Sequence, residues 1–296
     1  MLLLLAAALP TLFWDSGSEI APALKEAGIT HIAVPSARAE SWKSVSSIKA
    51  DSVELQGAVK LLTPSVNYRT DQASATRVPW LNSNGWRFLR QPSARFYYDA
   101  PGNAAALAAA EAFAFGANAL IRTDAEGIKP LGEMLAYLAN LPDFEGTPVA
   151  DFGVIDDGSP VVGEVMNLLV RNNLLFKIVP SLDPQLNLTV LLKAKEIDPR
   201  ITVVVQQIRS DLTDEKRSVR IYGSAIVIAR LTSAAEGVRV HLLNYAATRP
   251  VQGIRVRILG RYPKHGADLQ DFTVDSNATE FTVPELKIYS AIDLKR

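Results

Sequence analysis

Six carboxylates fall where an apolar run gives way to a turn. They are Asp15 in "FWDSG", Asp99 in "YYDAPG", Asp124 and Glu126 in "RTDAEG", and Asp156 and Asp157 in "VIDDGS". In parallel α/β folds, ligands gather at the carboxyl ends of strands, where such residues would converge. Two carboxyl groups facing each other across a sugar can break a glycosidic bond. One donates a proton and the other acts as base or nucleophile, about 5 Å apart for retention or about 6.5–9.5 Å apart for inversion. Asp15, Asp99, Glu126, Asp156 and Asp157 are therefore the candidate catalytic groups, and Asp124 a candidate substrate contact. The same residue types also cap helices and close turns, so each has a purely local alternative.

Aromatic and amide side chains accompany these acids. Trp14 precedes Asp15, and Tyr97 and Tyr98 precede Asp99. Trp80 and Trp86 bracket "LNSNG", which carries Asn82 and Asn84. Rings stack on the apolar faces of sugars while amides fix orientation. Trp14, Trp80, Asn82, Asn84, Trp86 and Tyr98 are thus candidate sugar contacts, with burial in a core as the alternative for each ring.

Composition removes several other chemistries. The 296 residues include no cysteine, which excludes thiol nucleophiles, disulfides and zinc–thiolate sites. The three histidines, His31, His241 and His265, lack metal-ligand spacing, and none follows a G-x-S-x-G turn. No metal and no cofactor is expected. Basic and acidic residues balance at 31 each, so bulk charge gives no case for nucleic acid. "DFG" at 151–153 has none of the accompanying kinase motifs, and "GSPVVGEVMN" lacks the glycine pattern of a phosphate loop. Leu2 to Leu9 is too short to span a bilayer. It has the look of a signal-peptide remnant over 1–10, which implies a secreted or periplasmic protein. The alternative is a first buried strand in a cytoplasmic one. Oligomeric state is not specified by any feature of the chain.

The elements that must position these residues alternate strand and helix. "TLFWDSG" predicts a strand and turn, "SEIAPALKEAG" a helix with Ser18 as cap and Gly28 as stop, and "ITHIAVP" a second strand. Residues 36–95 predict short strands and long loops. Three β/α units follow between Ala94 and Pro180, including the alanine-rich helix "AAALAAAEAFAFG". "TPVADFGVIDD" predicts one strand, leading to a helix with Pro160 at its first position. From about Lys216 the pattern has period two, as in "GIRVRILG", which predicts an antiparallel β-sandwich. The charged "QQIRSDLTDEKR" reads as a helical linker, and "KHG" at 264–266 as a hairpin tip with a solvated histidine. The chain therefore divides into an α/β part over 11–210 and a sandwich over 216–296.

"VRVHLLNYAATRPVQGIRVRILG" and "ATEFTVPELKIYSAIDL" resemble the small β-sandwich that closes many multidomain bacterial glycoside hydrolases. "GWRFLRQPSARFYYDAPGNAAALAAAEAFAFGANALIRTD" resembles the late strands of their β/α barrel. "VADFGVIDDGSPVVGEVMNLLVRNNLLFKIV" resembles the flavodoxin-like module between barrel and sandwich. The resemblance implies a reduced or incomplete parallel barrel, or an open sheet, followed by a sandwich. It implies a carbohydrate partner, and either a two-carboxylate hydrolase or a non-catalytic relative that binds glycans or a partner. A full eight-unit barrel usually needs about 250 residues, more than the α/β part over 11–210 offers.

Overall fold

A computed structural model describes residues 9–68, 79–197 and 200–296. The signal-peptide reading of Leu2 to Leu9 falls almost wholly outside the described residues. Eight strands form the first part: β1 (Thr11–Phe13), β2 (His31–Val34), β3 (Lys49–Ser52), β4 (Val59–Lys60), β5 (Ser65–Asn67), β6 (Trp80–Asn82), β7 (Arg95–Asp99) and β8 (Asn118–Arg122). Between them lie α1 (Ala21–Glu26), α2 (Ser36–Trp42), α3 (Gly85–Arg90) and α4 (Ala104–Ala114). α5 (Ala125–Ala139) follows β8.

Six of the strands form one parallel sheet in the order β3-β2-β1-β8-β7-β4. The connections β1–β2, β2–β3 and β7–β8 all step in the same direction along this sheet. Such single winding puts right-handed crossovers on one face, as in a barrel wall, whereas a doubly wound sheet reverses direction. Curvature follows from chain length. Six residues, 53–58, join β3 to β4 at opposite edges of the sheet. They reach at most about 24 Å. Five strand spacings in a flat sheet already need about 24 Å, before the return along the strand is counted. The sheet therefore curls, as an open wall.

Period-two alternation gives the wall two faces. Leu12, Ile32, Phe96, Tyr98 and Ile121 are buried in the main core with the helices. Phe13, Ala33 and Leu120 point the other way and form a small inner cluster, with Tyr97 and with Val53 and Leu55 of the β3–β4 link packed against it.

The second part is a three-stranded parallel sheet in the order β11-β10-β12, followed by two helices. Its elements are β10 (Phe152–Asp156), α6 (Pro160–Arg171), β11 (Phe176–Ile178), β12 (Leu188–Leu192), α7 (Ala194–Ile197) and α8 (Ile201–Leu212). Ser159 caps α6, its Oγ accepting from Val162 N, with Pro160 just inside the helix.

The C-terminal part pairs two antiparallel sheets. One comprises β13 (Val219–Tyr222), β16 (Val251–Leu259), β19 (Ala278–Leu286) and β18 (Gln270–Val274). The other comprises β17 (Lys264–His265), β20 (Tyr289–Lys295), β15 (Gly237–Asn244), β14 (Val227–Ala234) and β9 (Thr147–Pro148). In β16, Ile254, Val256 and Ile258 are buried as the alternation predicts.

Several local expectations change. Residues 36–95 contain the helices α2 and α3 rather than strands and loops alone. Each buries only one or two apolar residues, Trp42 in α2, and Gly85 and Phe88 in α3, too few to write a helical period. "TPVADFGVIDD" is two elements, because Thr147 and Pro148 pair with Ser233 and Thr232 at the edge of the sandwich. Ser18 makes no capping bond; α1 begins after a short 3₁₀ turn, and Gly28 ends it with φ of +72°. α8 stops at Leu212, before "TDEKR", where Thr213 takes φ of +57°. His265 sits in β17, its ring on Phe272, rather than in a free tip.

α4 joins the parts. A helix buried on every side cannot be amphipathic, and Ala105 to Ala112 are all buried. Alanines let it lie close to β8 on one side and to β15 on the other. β15 is accordingly buried along its whole length, with Val238, Val240 and Leu242 in the sandwich core. His241 on its other face meets Phe113 of α4.

Candidate functional site

The inner face of the curled sheet carries an apolar layer and, at its carboxyl edge, a charged one. Phe13 and Asp15, Tyr97 and Asp99, and Leu120 and Arg122 are each two residues apart, so each pair shares the inner face. Asp99 lies directly opposite Arg122 in the β7–β8 register. Arg122 Nε and Nη2 donate to the two oxygens of Asp99 at 3.2 and 2.8 Å. Its Nη1 donates to Asp15 Oδ2 at 2.8 Å. Lys60, at the end of β4, stands 3.9 Å from Asp99. The ends of four adjacent strands, β4, β7, β8 and β1, thus present one connected array.

Arg122 holds Asp99 below the usual carboxylate range through these hydrogen bonds, with partial burial opposing and Lys60 helping. The paired aspartates push the guanidinium further above its already high value. All three side chains keep about 40% of their surface exposed, so solvent and a ligand can reach them. Carboxylate oxygens accept from hydroxyls and guanidinium nitrogens donate to them. A fixed array of both is equipment for orienting a polyol. It is poor equipment for proton donation, which requires a carboxyl group held neutral by burial or by a like charge.

Asp15, Asp99 and Asp124 line a single depression of about 470 Å³ with Pro101, Arg122 and Thr123. Asp124 caps α5: its Oδ1 accepts from Gly127 N at 2.9 Å and from Gly102 N at 3.0 Å. Across Pro101 lies a second hollow of about 480 Å³, bordered by Tyr68, Asn103, Tyr245 and Arg249. Tyr68 is exposed there, an aromatic face for a sugar ring.

The other predicted residues lie elsewhere. Glu126 is exposed in the first turn of α5. Asp156 is nearly buried and takes both arms of Arg90, Nε and Nη2, at 2.8 Å each. It thereby fixes α3 to the end of β10. Asp157 accepts from Ser159 N and Ala194 N, which tie the β10 turn to the start of α7 and lower its pKa. Trp14 is buried, its Nε1 donating to Gly17 O. Trp86 is flanked by the guanidinium groups of Arg87 and Arg90, and Trp80 lies under that of Arg171. Asn82 donates to Ser65. None of the three tryptophans lines either hollow.

Asn84 and Tyr98 belong to a buried cluster around Glu111 of α4. Glu111 accepts from Asn84 N, Asn84 Nδ2, Ser83 Oγ, Tyr98 OH and Tyr245 OH. Burial, then the Glu111 charge, pushes both phenols well above their ordinary pKa, so they remain donors. Tyr245 comes from the sandwich, so this carboxylate links both halves of the chain.

Arg122, Lys60, Glu111 and Tyr68 are not singled out by the sequence reading. Arg122 does carry a signal, a lone cation closing the apolar run "NALIR" at a strand end. Among the described residues, no group of three His, Cys, Asp or Glu could hold a metal ion. No described helix is long and apolar enough to cross a membrane.

No protein-family model matches the sequence, and no curated protein matches it. Solved structures do show likeness. α-L-Fucosidase isoenzyme 2 from Paenibacillus thiaminolyticus superposes with a TM-score of 0.51 at 10% identity, over 71% of this chain. The chain spans 62% of that enzyme's length. A family 42 β-galactosidase from G. stearothermophilus gives 0.37 at 7% identity, over 80% of this chain and 53% of the other. An α-amylase from Geobacillus thermoleovorans gives 0.23 at 9% identity, over 98% of this chain and 97% of the other. Only the first exceeds 0.5, and what it shares with this chain is a fold: a glycosidase-like arrangement of parallel sheet followed by antiparallel sheets.

Proposed function

We propose that this protein is a carbohydrate-binding relative of glycoside hydrolases that holds a neutral sugar at the carboxyl edge of its curled sheet without cleaving it. The observation that carries this reading is the Asp15–Arg122–Asp99 array. Its three side chains offer donors and acceptors in a fixed geometry at the edge where ligands of parallel sheets gather. Pro101 and Tyr68 give an apolar wall beside it. A hydrolase would need one of the two carboxyl groups to carry a proton and the other to stand free as base or nucleophile. Both are committed to one guanidinium, and Asp99 is biased toward its ionised form.

Calorimetric titration with a panel of neutral oligosaccharides tests the reading. Binding to at least one of them is expected, weakened at least tenfold by Arg122→Met. Chromogenic aryl glycosides should show no turnover above the solvent background. Turnover that disappears in Asp99→Asn would replace this reading with the two-carboxylate hydrolase.

A further inference from the structure

A third cavity, of about 570 Å³, lies where α6, α8 and β13 meet. Its wall contains four arginines, Arg171, Arg209, Arg217 and Arg220, and no acidic side chain. Three separate places supply them: the end of α6, the last turn of α8, and β13 with the segment leading into it. Their convergence is therefore a product of the fold and not of one basic run in the sequence.

Countercharge comes from Asp214 and, acting on Arg220, from Glu215, both outside the cavity wall. Asp214 pairs with Arg217 at 3.2 Å and with Arg220 at 3.0 Å. Among the described residues, no carboxylate lies within ion-pairing distance of Arg209, which is exposed on α8. Arg217 is buried, with Nη2 on the Asn172 carbonyl and an Nε that has no hydrogen-bond partner among the described residues. Burial lowers its pKa, its bond to Asp214 opposes that, and the charges of Arg209 and Arg220 lower it further. Like charges gathered at a partly dry wall destabilise one another unless an anion joins them. Trp80 and Tyr222 supply ring surface beside the guanidinium groups, and Thr202 and Ser224 supply hydroxyls.

We infer that this cavity is a binding site for a small organic oxyanion, a carboxylate- or sulfate-bearing molecule of roughly disaccharide size, held by Arg209, Arg217 and Arg220. Planar guanidinium groups match the paired oxygens of such anions, and the volume falls in the range of small-ligand sites, about 300–1,000 Å³. The site is separate from the Asp15–Arg122–Asp99 cleft and does not depend on that reading.

Calorimetric titration of the full chain with digalacturonate, neutral digalactose and inorganic sulfate tests the inference. With the other cleft disabled by Arg122→Met, digalacturonate should bind and digalactose should not, and affinity should fall as salt rises. Arg209→Glu, at an exposed position, should leave thermal unfolding unchanged and weaken binding at least tenfold. Arg122→Met in the other cleft should leave digalacturonate binding unchanged. Sulfate binding that Arg209→Glu abolishes supports the site and narrows it to the oxyanion itself. The inference is overturned if neither anion binds at millimolar concentration, if digalactose binds the Arg122→Met variant as tightly as digalacturonate does, or if Arg209→Glu has no effect.

Discussion

Glu111→Ala is expected to destabilise the protein by about 3–5 kcal/mol, the cost of leaving five buried donors without their shared acceptor. Five donors point at this carboxylate from Ser83, Asn84, Tyr98 and Tyr245. Ser83, Asn84, Tyr98 and Tyr245 are themselves almost wholly buried, so water cannot simply replace the lost acceptor. Each abandoned donor adds a desolvation penalty of about 1–3 kcal/mol, only partly relieved by rearrangement. Glu111→Gln keeps the shape but turns an acceptor into a donor that faces other donors, so its loss should approach that of alanine. Tyr245→Phe removes one bond and should cost about 1 kcal/mol. Urea unfolding of the three variants checks this order. A loss below about 1 kcal/mol for Glu111→Ala would mean that the cluster does not hold the halves together.

Acid sensitivity should be traced to His241, the second large effect. Its ring is buried between Phe113 and the sandwich, with Nδ1 at 2.6 Å from Tyr289 OH and Nε2 at 3.3 Å from Thr232. Burial, then Arg239 and Arg230, depress its pKa from 6.5 to about 3. The unfolded chain therefore takes up this proton at a higher pH than the folded one. Stability is lost as pH falls below about 6.5, and the loss continues down to about pH 3. The full range corresponds to roughly 4–5 kcal/mol at 1.36 kcal/mol per pKa unit. His241→Gln should flatten the dependence of the urea midpoint on pH between 6.5 and 4.

Asp151 acts with the opposite sign. Burial raises it from 3.8 to about 6 against its bonds from Ser218, so its contribution falls as pH rises from about 4 to 6. Asp151→Asn should therefore steepen the acid slope that His241→Gln flattens. An unchanged slope in His241→Gln would contradict the assignment.

The sandwich is legible because its strands write period two in long stretches, as Ile254, Val256 and Ile258 do. The β/α order from Ala94 onward is legible because glycines and prolines punctuate it. The single winding and curl of the first sheet are not, since they depend on which strands pair, and residues 36–95 bury too little per element to leave a period. Placing Asp15, Asp99 and Asp124 at strand ends was within reach of the sequence, and the fold brings these three to one depression. Their shared cation was not, because Arg122 reads as an ordinary end to an apolar strand until β7 and β8 are aligned. Glu111 left a clear trace, a lone charge inside an alanine run. Its role needed Tyr245, 134 residues away. Asp156 and Asp157 answer to Arg90 and to local backbone, contacts that no spacing along the chain encodes.

The Asp15–Arg122–Asp99 edge is proposed to hold a neutral sugar intact. The direct measurement is mass spectrometry of what the immobilised protein retains from a pool of neutral oligosaccharides after prolonged incubation. The account predicts retained sugars at their original masses, absent when Arg122→Met is used instead. Shortened sugars, or a retained fraction that Arg122→Met leaves unchanged, would contradict it.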